Sequence, residues 1–237
     1  MVASVVAVVV LAVEAPLEDG NMKTLAEAFL TQQEQNTITA TVQEVELTTS
    51  GEIVPMIVSS SHDYPMAAVN FSITVGLPLA VLFSMLVGAQ FWIGSQNMWL
   101  FLAFFAAHSG LAFFLVSRSS RIKSLFLNPK HVEKEVVNGA LSAFYKEKLF
   151  KTRDENGILL YISVLEQKVW VLADAGINNK IDQKEWDSVV KELTTGIKTG
   201  NKCEAICESI QQVGRILKEH FPYQKSDTDE LHNLIIR

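Results

Sequence analysis

The stretch DAGINNKIDQKE, residues 174–185, has the length and part of the chemistry of a calcium loop. A twelve-residue EF-hand loop presents oxygens from positions 1, 3, 5, 9 and 12, with glycine at position 6 to turn the chain. Asp174, Asn178, Asp182 and Glu185 fall on positions 1, 5, 9 and 12 of that frame. Gly176 at position 3 offers no side-chain oxygen, and Asn179 stands where the glycine belongs. An EF-hand also needs a helix ahead of the loop, whereas VWVLA at residues 169–173 is a β-rich run.

A wider acidic set remains. Glu52, Asp154, Asp174 and Asp182 supply the hard oxygens that calcium prefers, and they form the candidate metal ligands of this chain. Ligands gather at strand ends in open α/β folds, so residues 59–63 after one strand and Asp174 after another are expected to share a rim. A divalent ion there could neutralise a phosphate ester and activate water. Each residue also has a plainer role. Asp154 lies in the turn DENG, and Asp182 followed three residues later by Glu185 has the form of a helix N-cap with a capping box. His62 and Asp63 could act as an acid–base pair or lie in a solvated linker. Cys203 and Cys207 are four apart in a helical pattern and make no CxxC pair. The chain has no phosphate-cradling loop, nucleophile elbow or HExxH, so no catalytic residue is assigned.

The elements that position these groups begin with a break in composition. Residues 64–117 carry no Asp, Glu, Lys or Arg, although the chain holds 46 such residues. Two membrane helices of about 20 residues and a tight turn fit that length. The spans are expected at about 67–91 and 98–116, joined by the polar turn IGSQN at 93–97, with Trp92 and Trp99 flanking it at interfacial positions. Gly76 and Pro78 inside the first span are tolerated in a membrane helix. His108 is the only ionisable side chain of the second span, and a neutral imidazole bonded to a nearby carbonyl is its expected state. Arg118, Arg121, Lys123, Lys130 and Lys134 follow that span and the turn has no basic residue, which puts both flanks in the cytoplasm. The opening MVASVVAVVVLAV has three readings: an extension upstream of a working start at Met22, a cleaved signal, or a buried strand.

Around this block the pattern alternates. Residues 23–47 and 131–150 have helical apolar spacing, EIVPMIV at 52–58 reads as a strand, and Pro55 makes it an edge or irregular one. ILLYISV and VWVLA, joined by LEQK, read as a strand pair. Trp186, Val189, Val190 and Leu193 recur helically up to Gly196 or Gly200, and a last helix covers residues 202–220. One strand before residue 64 cannot satisfy its backbone alone, so both flanking pieces are expected to build one α/β sandwich interrupted by a two-helix transmembrane hairpin. The boundaries follow: an N-terminal extension at 1–21, the first part of the α/β domain at 22–63, the hairpin at 64–117, the second part at 118–222 and a tail at 223–237.

With these elements in place, the chain resembles the TPM domain family, and within it the bacterial integral-membrane branch. The likeness rests on TTSGEIVPMIV at 48–58, TRDENGILLYISVLEQKVWVLADAGI at 152–177, and HFP with DELHN near the end. It covers roughly residues 23–235, apart from the hairpin. The resemblance implies an α/β/α sandwich, a central sheet with helices on both faces. It also implies calcium binding through acidic loop residues in some members, and a weak acid phosphatase activity in plant relatives associated with photosystem repair. By position, the DENG and ADAGINNKID turns match the loops where the family's acidic groups gather. Many members carry a glycine-rich GYGLEG-like segment where this chain has ADAGINNK.

The net charge of −6 and a pI near 5.4 argue against a nucleic-acid partner. The expected function is that of a multi-pass cell-membrane protein of the bacterial inner membrane. Its partners are the lipid bilayer and a protein within it, and its cytoplasmic TPM-like domain serves as a non-catalytic binding or envelope-maintenance module. The alternative is a calcium-binding domain with weak phosphatase activity. Transport is the third class, and two spans with no broken-helix repeat make a poor pathway.

Overall fold

The computed structural model describes residues 3–8, 24–91, 97–152, 155–223 and 231–237. Asp154, Trp92 and residues 93–96 of the expected turn therefore lie outside the described residues. The chain folds as a mixed α/β structure in two compact units, Met1–His62 with Glu133–Arg237, and Asp63–Val132.

The first unit is built on a five-stranded sheet ordered β1-β4-β3-β2-β5, with β1 Ala3–Val8, β2 Glu52–Val58, β3 Gly157–Ser163, β4 Lys168–Ala173 and β5 Ile235–Ile236. β2 runs parallel to β3 in the register Glu52↔Gly157 to Val58↔Ser163, and β4 runs antiparallel to β3. Every residue of β2, β3 and β4 is buried, the pattern of strands covered on both faces. In the opening residues, Ala3–Val8 pairs antiparallel with β4. The segment read as a tail also contributes, because Ile235–Ile236 extends the sheet beside Met56 and Ile57.

β2 is not the edge strand that Pro55 suggested, since β5 lies beyond it, but β5 reaches only Met56 and Ile57. Odd-numbered residues of β2 turn their backbone groups away from β3: Ile53 N–H donates to Glu46 Oε1 at 3.1 Å, and Ile57 O accepts from Arg237 N at 2.9 Å. Pro55 stands between them, where a missing N–H costs no ladder bond.

One face of the sheet presents Ile53, Ile57, Ile158, Leu160, Ile162, Val169 and Val171 to three helices. These are α1 Gln32–Glu46, α8 Gln183–Lys198 and α9 Lys202–His220, which bring Ile38, Val42, Trp186, Leu193, Ile206 and Ile210 into the same core. Burial of each such side chain is worth about 1.5–3 kcal/mol. α1 starts at Gln32 rather than Lys23 because Thr31 and Glu34 form a reciprocal capping box. α8 ends before Gly200, whose φ of +93° is the left-handed backbone that favours glycine after a helix. The opposite face meets α6 Pro129–Lys146, whose Gly139 packs against Tyr161.

The second unit contains α2 Met66–Phe71, a π-helical segment Ser72–Gly76, α3 Leu77–Gln90, α4 Met98–Arg118 and α5 Ser120–Leu125. The π segment sits just before Pro78, which has no N–H to continue the α ladder. Asn97 caps α4 by accepting from Leu100 N at 3.1 Å. His108 donates from Nδ1 to Phe104 O at 2.6 Å and stacks on Phe83, so its imidazole is satisfied inside the hairpin. Met66–Gln90 and Met98–Arg118 are long and apolar enough to cross a membrane.

Candidate functional site

Strand direction decides which candidate residues meet. Glu52 opens β2, its register partner Gly157 opens β3, and Gly157 O accepts from Asp174 N at 3.0 Å where β4 ends. Glu52 and Asp174 therefore stand at the same end of the sheet, both buried. Residues 59–63 lie at the opposite end, after Val58 and beside Ser163. The expected shared rim of residues 59–63 and Asp174 is thus overturned: β2 and β3 are parallel while β4 returns antiparallel, which carries Asp174 away from Ser59.

The end that holds the carboxylates is closed by backbone and amide groups. Asn156 donates from its side chain to Ser50 O, receives Glu52 N on its own carbonyl at 3.2 Å, and donates its N–H to Thr152 Oγ1 at 3.0 Å. Gly157 approaches the preceding 3-10 turn, Leu149–Lys151, so closely that a Cβ would lie 2.4 Å from Leu149 O. Asp174 caps α7 Ala175–Asn178, with Oδ1 accepting from Ala175 N at 2.7 Å. Its Oδ2 is buried with no hydrogen-bond partner among the described residues. Asp182 caps α8 by accepting from Lys184 N at 3.0 Å and is exposed.

In the stretch that resembled a calcium loop, Asp174 and Asp182 are thus the caps of two successive helices. Among the described residues no three His, Cys, Asp or Glu side chains gather closely enough to hold a metal ion. Glu52 and Asp174 are brought to one end, Asp182 belongs to a separate cap, and Asp154 lies outside the described residues.

The opposite end holds a polar network that sequence reasoning missed. Glu166, in the β3–β4 link, accepts from Ser61 N at 2.7 Å on Oε1 and from Ser163 Oγ on Oε2. Ser163 in turn accepts from Ser61 Oγ at 3.0 Å, and Ser61 Oγ lies 3.1 Å from Tyr161 Oη. Burial, reinforced by the Glu166 charge and only partly offset by the Ser61 hydrogen bond, pushes the Tyr161 phenol up to about 12. One signal was present in the sequence: Tyr161 and Ser163 are two apart in an otherwise apolar strand, so both face the same side. On α9, burial and the neighbouring Cys207 push the Cys203 thiol up to about 11, which disfavours the reactive thiolate.

Residues 126–216 match the TPM domain. That span begins after the apolar helices and includes α6, β3, β4, α8 and most of α9; β2 lies outside it yet pairs with β3 along its whole length. The fold is similar to that of the BA42 protein from the psychrophilic bacterium Bizionia argentinensis, solved by NMR, with a TM-score of 0.54 and 20% sequence identity over 88% of this chain and 95% of that one. No curated protein matches the chain.

Proposed function

We propose that this chain, which carries a TPM domain, is an integral membrane protein in which a helical hairpin tethers a TPM-like α/β/α domain to the cell membrane, there to bind a protein partner without catalysis. The observation that supports this reading is the surface of α3 and α4. Only 22% and 11% of the most apolar window of each span is buried, and large side chains such as Leu86, Trp99, Phe113 and Phe114 are exposed. An aqueous surface that apolar invites aggregation, whereas hydrocarbon matches it. The basic residues after α4 favour a cytoplasmic α/β domain and a role in maintaining the envelope from that side.

Carbonate washing of membranes from expressing cells tests the tether. The protein is expected to stay in the membrane pellet and enter the detergent phase; recovery in the soluble fraction would refute the reading. Labelling of Cys203 or Cys207 by an impermeant reagent outside intact cells would overturn the cytoplasmic assignment.

A second reading, a calcium site with weak phosphatase activity, draws on the partnerless Asp174 Oδ2 at the sheet end that also holds the buried Glu52. The described residues do not complete a coordination set, so this reading requires Asp154 as a further ligand. Calcium titration followed by thermal unfolding separates the two: a saturable stabilisation lost in Asp154→Ala and Asp174→Ala supports the site, and no shift at millimolar calcium leaves both as turn and cap residues.

A further inference from the structure

The Asp63–Val132 unit carries charge of the opposite sign to the chain as a whole. Arg118, Arg121, Lys123 and Lys130 stand in it against Asp63 alone, although the net charge of the chain is −6. All four basic residues lie at or beyond the carboxy-terminal end of α4, and residues 64–117 before them have no Asp, Glu, Lys or Arg. The positive charge of the unit is therefore gathered at one edge of its apolar surface.

The chain does not leave that edge at once. Ser119 is extended, with φ −123° and ψ 110°, and caps α5 by accepting from Ile122 N at 3.4 Å. α5 then turns back beside the first span: the Phe126 ring meets Phe71 edge to face at 5.0 Å, and Phe126 O accepts from Asn70 Nδ2 at 3.3 Å. Asn70 and Phe71 lie in the opening turns of Met66–Gln90, so α5 is held at the depth where one span begins and the other ends.

The two sides of α5 divide accordingly. Ile122 and Phe126, four apart, are half-buried, whereas Arg121 and Leu125, also four apart, are exposed, Leu125 by 78%. A guanidinium and a large apolar side chain on one exposed face fit the boundary between acyl chains and headgroups. There the apolar group enters hydrocarbon and the long basic stem reaches back to the phosphates. Lys123 on the same helix and the exposed Lys130 at the start of α6 add two ammonium groups. Arg121, Lys123 and Lys130 make no ion pair among the described residues.

We propose that α5 and the start of α6 form a collar that binds the anionic phospholipid headgroups of the leaflet from which α4 emerges, with Arg121, Lys123 and Lys130 on the phosphates and Leu125 among the acyl chains. A zwitterionic headgroup balances its phosphate with its own ammonium, whereas an anionic one leaves a net charge for these three cations. The inference rests on the membrane tether and adds the class of lipid that the tether selects.

The test uses the full chain in neutral detergent, with thermal unfolding followed as phosphatidylglycerol or phosphatidylcholine of the same acyl chains is added to the micelles. Phosphatidylglycerol is expected to raise Tm saturably and phosphatidylcholine to raise it less, and salt at about 0.5 M should narrow the difference. A basic side chain near an anionic surface is worth roughly fivefold in affinity, so Arg121→Gln, Lys123→Gln and Lys130→Gln together should raise the phosphatidylglycerol needed for half the effect by at least about tenfold. The charge-keeping set Arg121→Lys, Lys123→Arg and Lys130→Arg should hold that midpoint within about threefold, which separates loss of charge from loss of fold. Equal responses to the two lipids, an undiminished response in the triple Gln variant, or an equal response to free glycerol phosphate overturns the proposal. Flotation of the same protein with phosphatidylcholine vesicles in alkaline carbonate reports on the tether separately. A chain that floats yet shows no lipid preference fails this inference alone, and a chain that does not float loses the tether and this inference together.

Discussion

The two units of this chain use the same apolar residues in opposite ways. In the α/β unit Ile53, Leu160, Trp186 and Leu193 are sealed between sheet and helices. In the Asp63–Val132 unit Trp99 is 75% exposed and Phe113 65%. Local pattern accounts for the difference. Trp186, Val189, Val190 and Leu193 form one stripe on α8, with charged residues on the remaining faces, so the helix has an inside and an outside. α3 and α4 are apolar all round, and a helix of that kind has no aqueous side to present. Burial in the first unit is a property of packing, whereas the second unit leaves much of its apolar surface exposed.

Four experiments break or sharpen this contrast. The largest effect is expected for Trp186→Ala, which empties a fully buried site and should cost the α/β unit about 3–5 kcal/mol in denaturant unfolding. A loss below about 1 kcal/mol would mean that this core is not packed as described. Next comes alkaline pH. The folded phenol of Tyr161 is raised from 10.0 to about 12, so the stability tied to its neutral form is complete below pH 10 and disappears as pH climbs through 12. That loss is on the order of 2–3 kcal/mol, and Tyr161→Phe should flatten the pH dependence across this window. Asp182→Ala removes the α8 cap and should cost about 1 kcal/mol, read as a lower Tm. Phe113→Ser is expected to change unfolding of the α/β unit by less than about 0.5 kcal/mol, as for a surface substitution. A large effect there would make the hairpin part of the water-soluble core.

Much of the α/β unit was legible because its signals are local. The helical stripes of α8 and α9, the apolar runs of β2, β3 and β4 and the Asp182 cap follow from residues within a turn or two of each other. The start of α1 was read too early because Ala26, Phe29 and Leu30 join the core from a turn rather than a helix. β5 was missed because two residues make no pattern.

The candidate site was legible only in its single residues. That Asp174 and Ser59 lie at opposite ends depends on the parallel pairing of β2 with β3, which is set by long-range register and leaves no mark on either strand. Ser61, Gly139, Lys146 and Tyr161 come together from three distant parts of the chain: the residues after β2, helix α6 and strand β3.

The pairing of β2 with β3 also has a temporal side. Glu52 finds its partner Gly157 about 100 residues further along the chain, beyond both apolar helices. At a synthesis rate of roughly 5–20 residues per second, β2 emerges several seconds before β3 exists. Through that interval it is a strand with apolar residues on both faces and no sheet to join. Both long apolar helices are therefore synthesised before the sheet can close, which makes the interval between β2 and β3 a window in which the unpaired strand is open to aggregation.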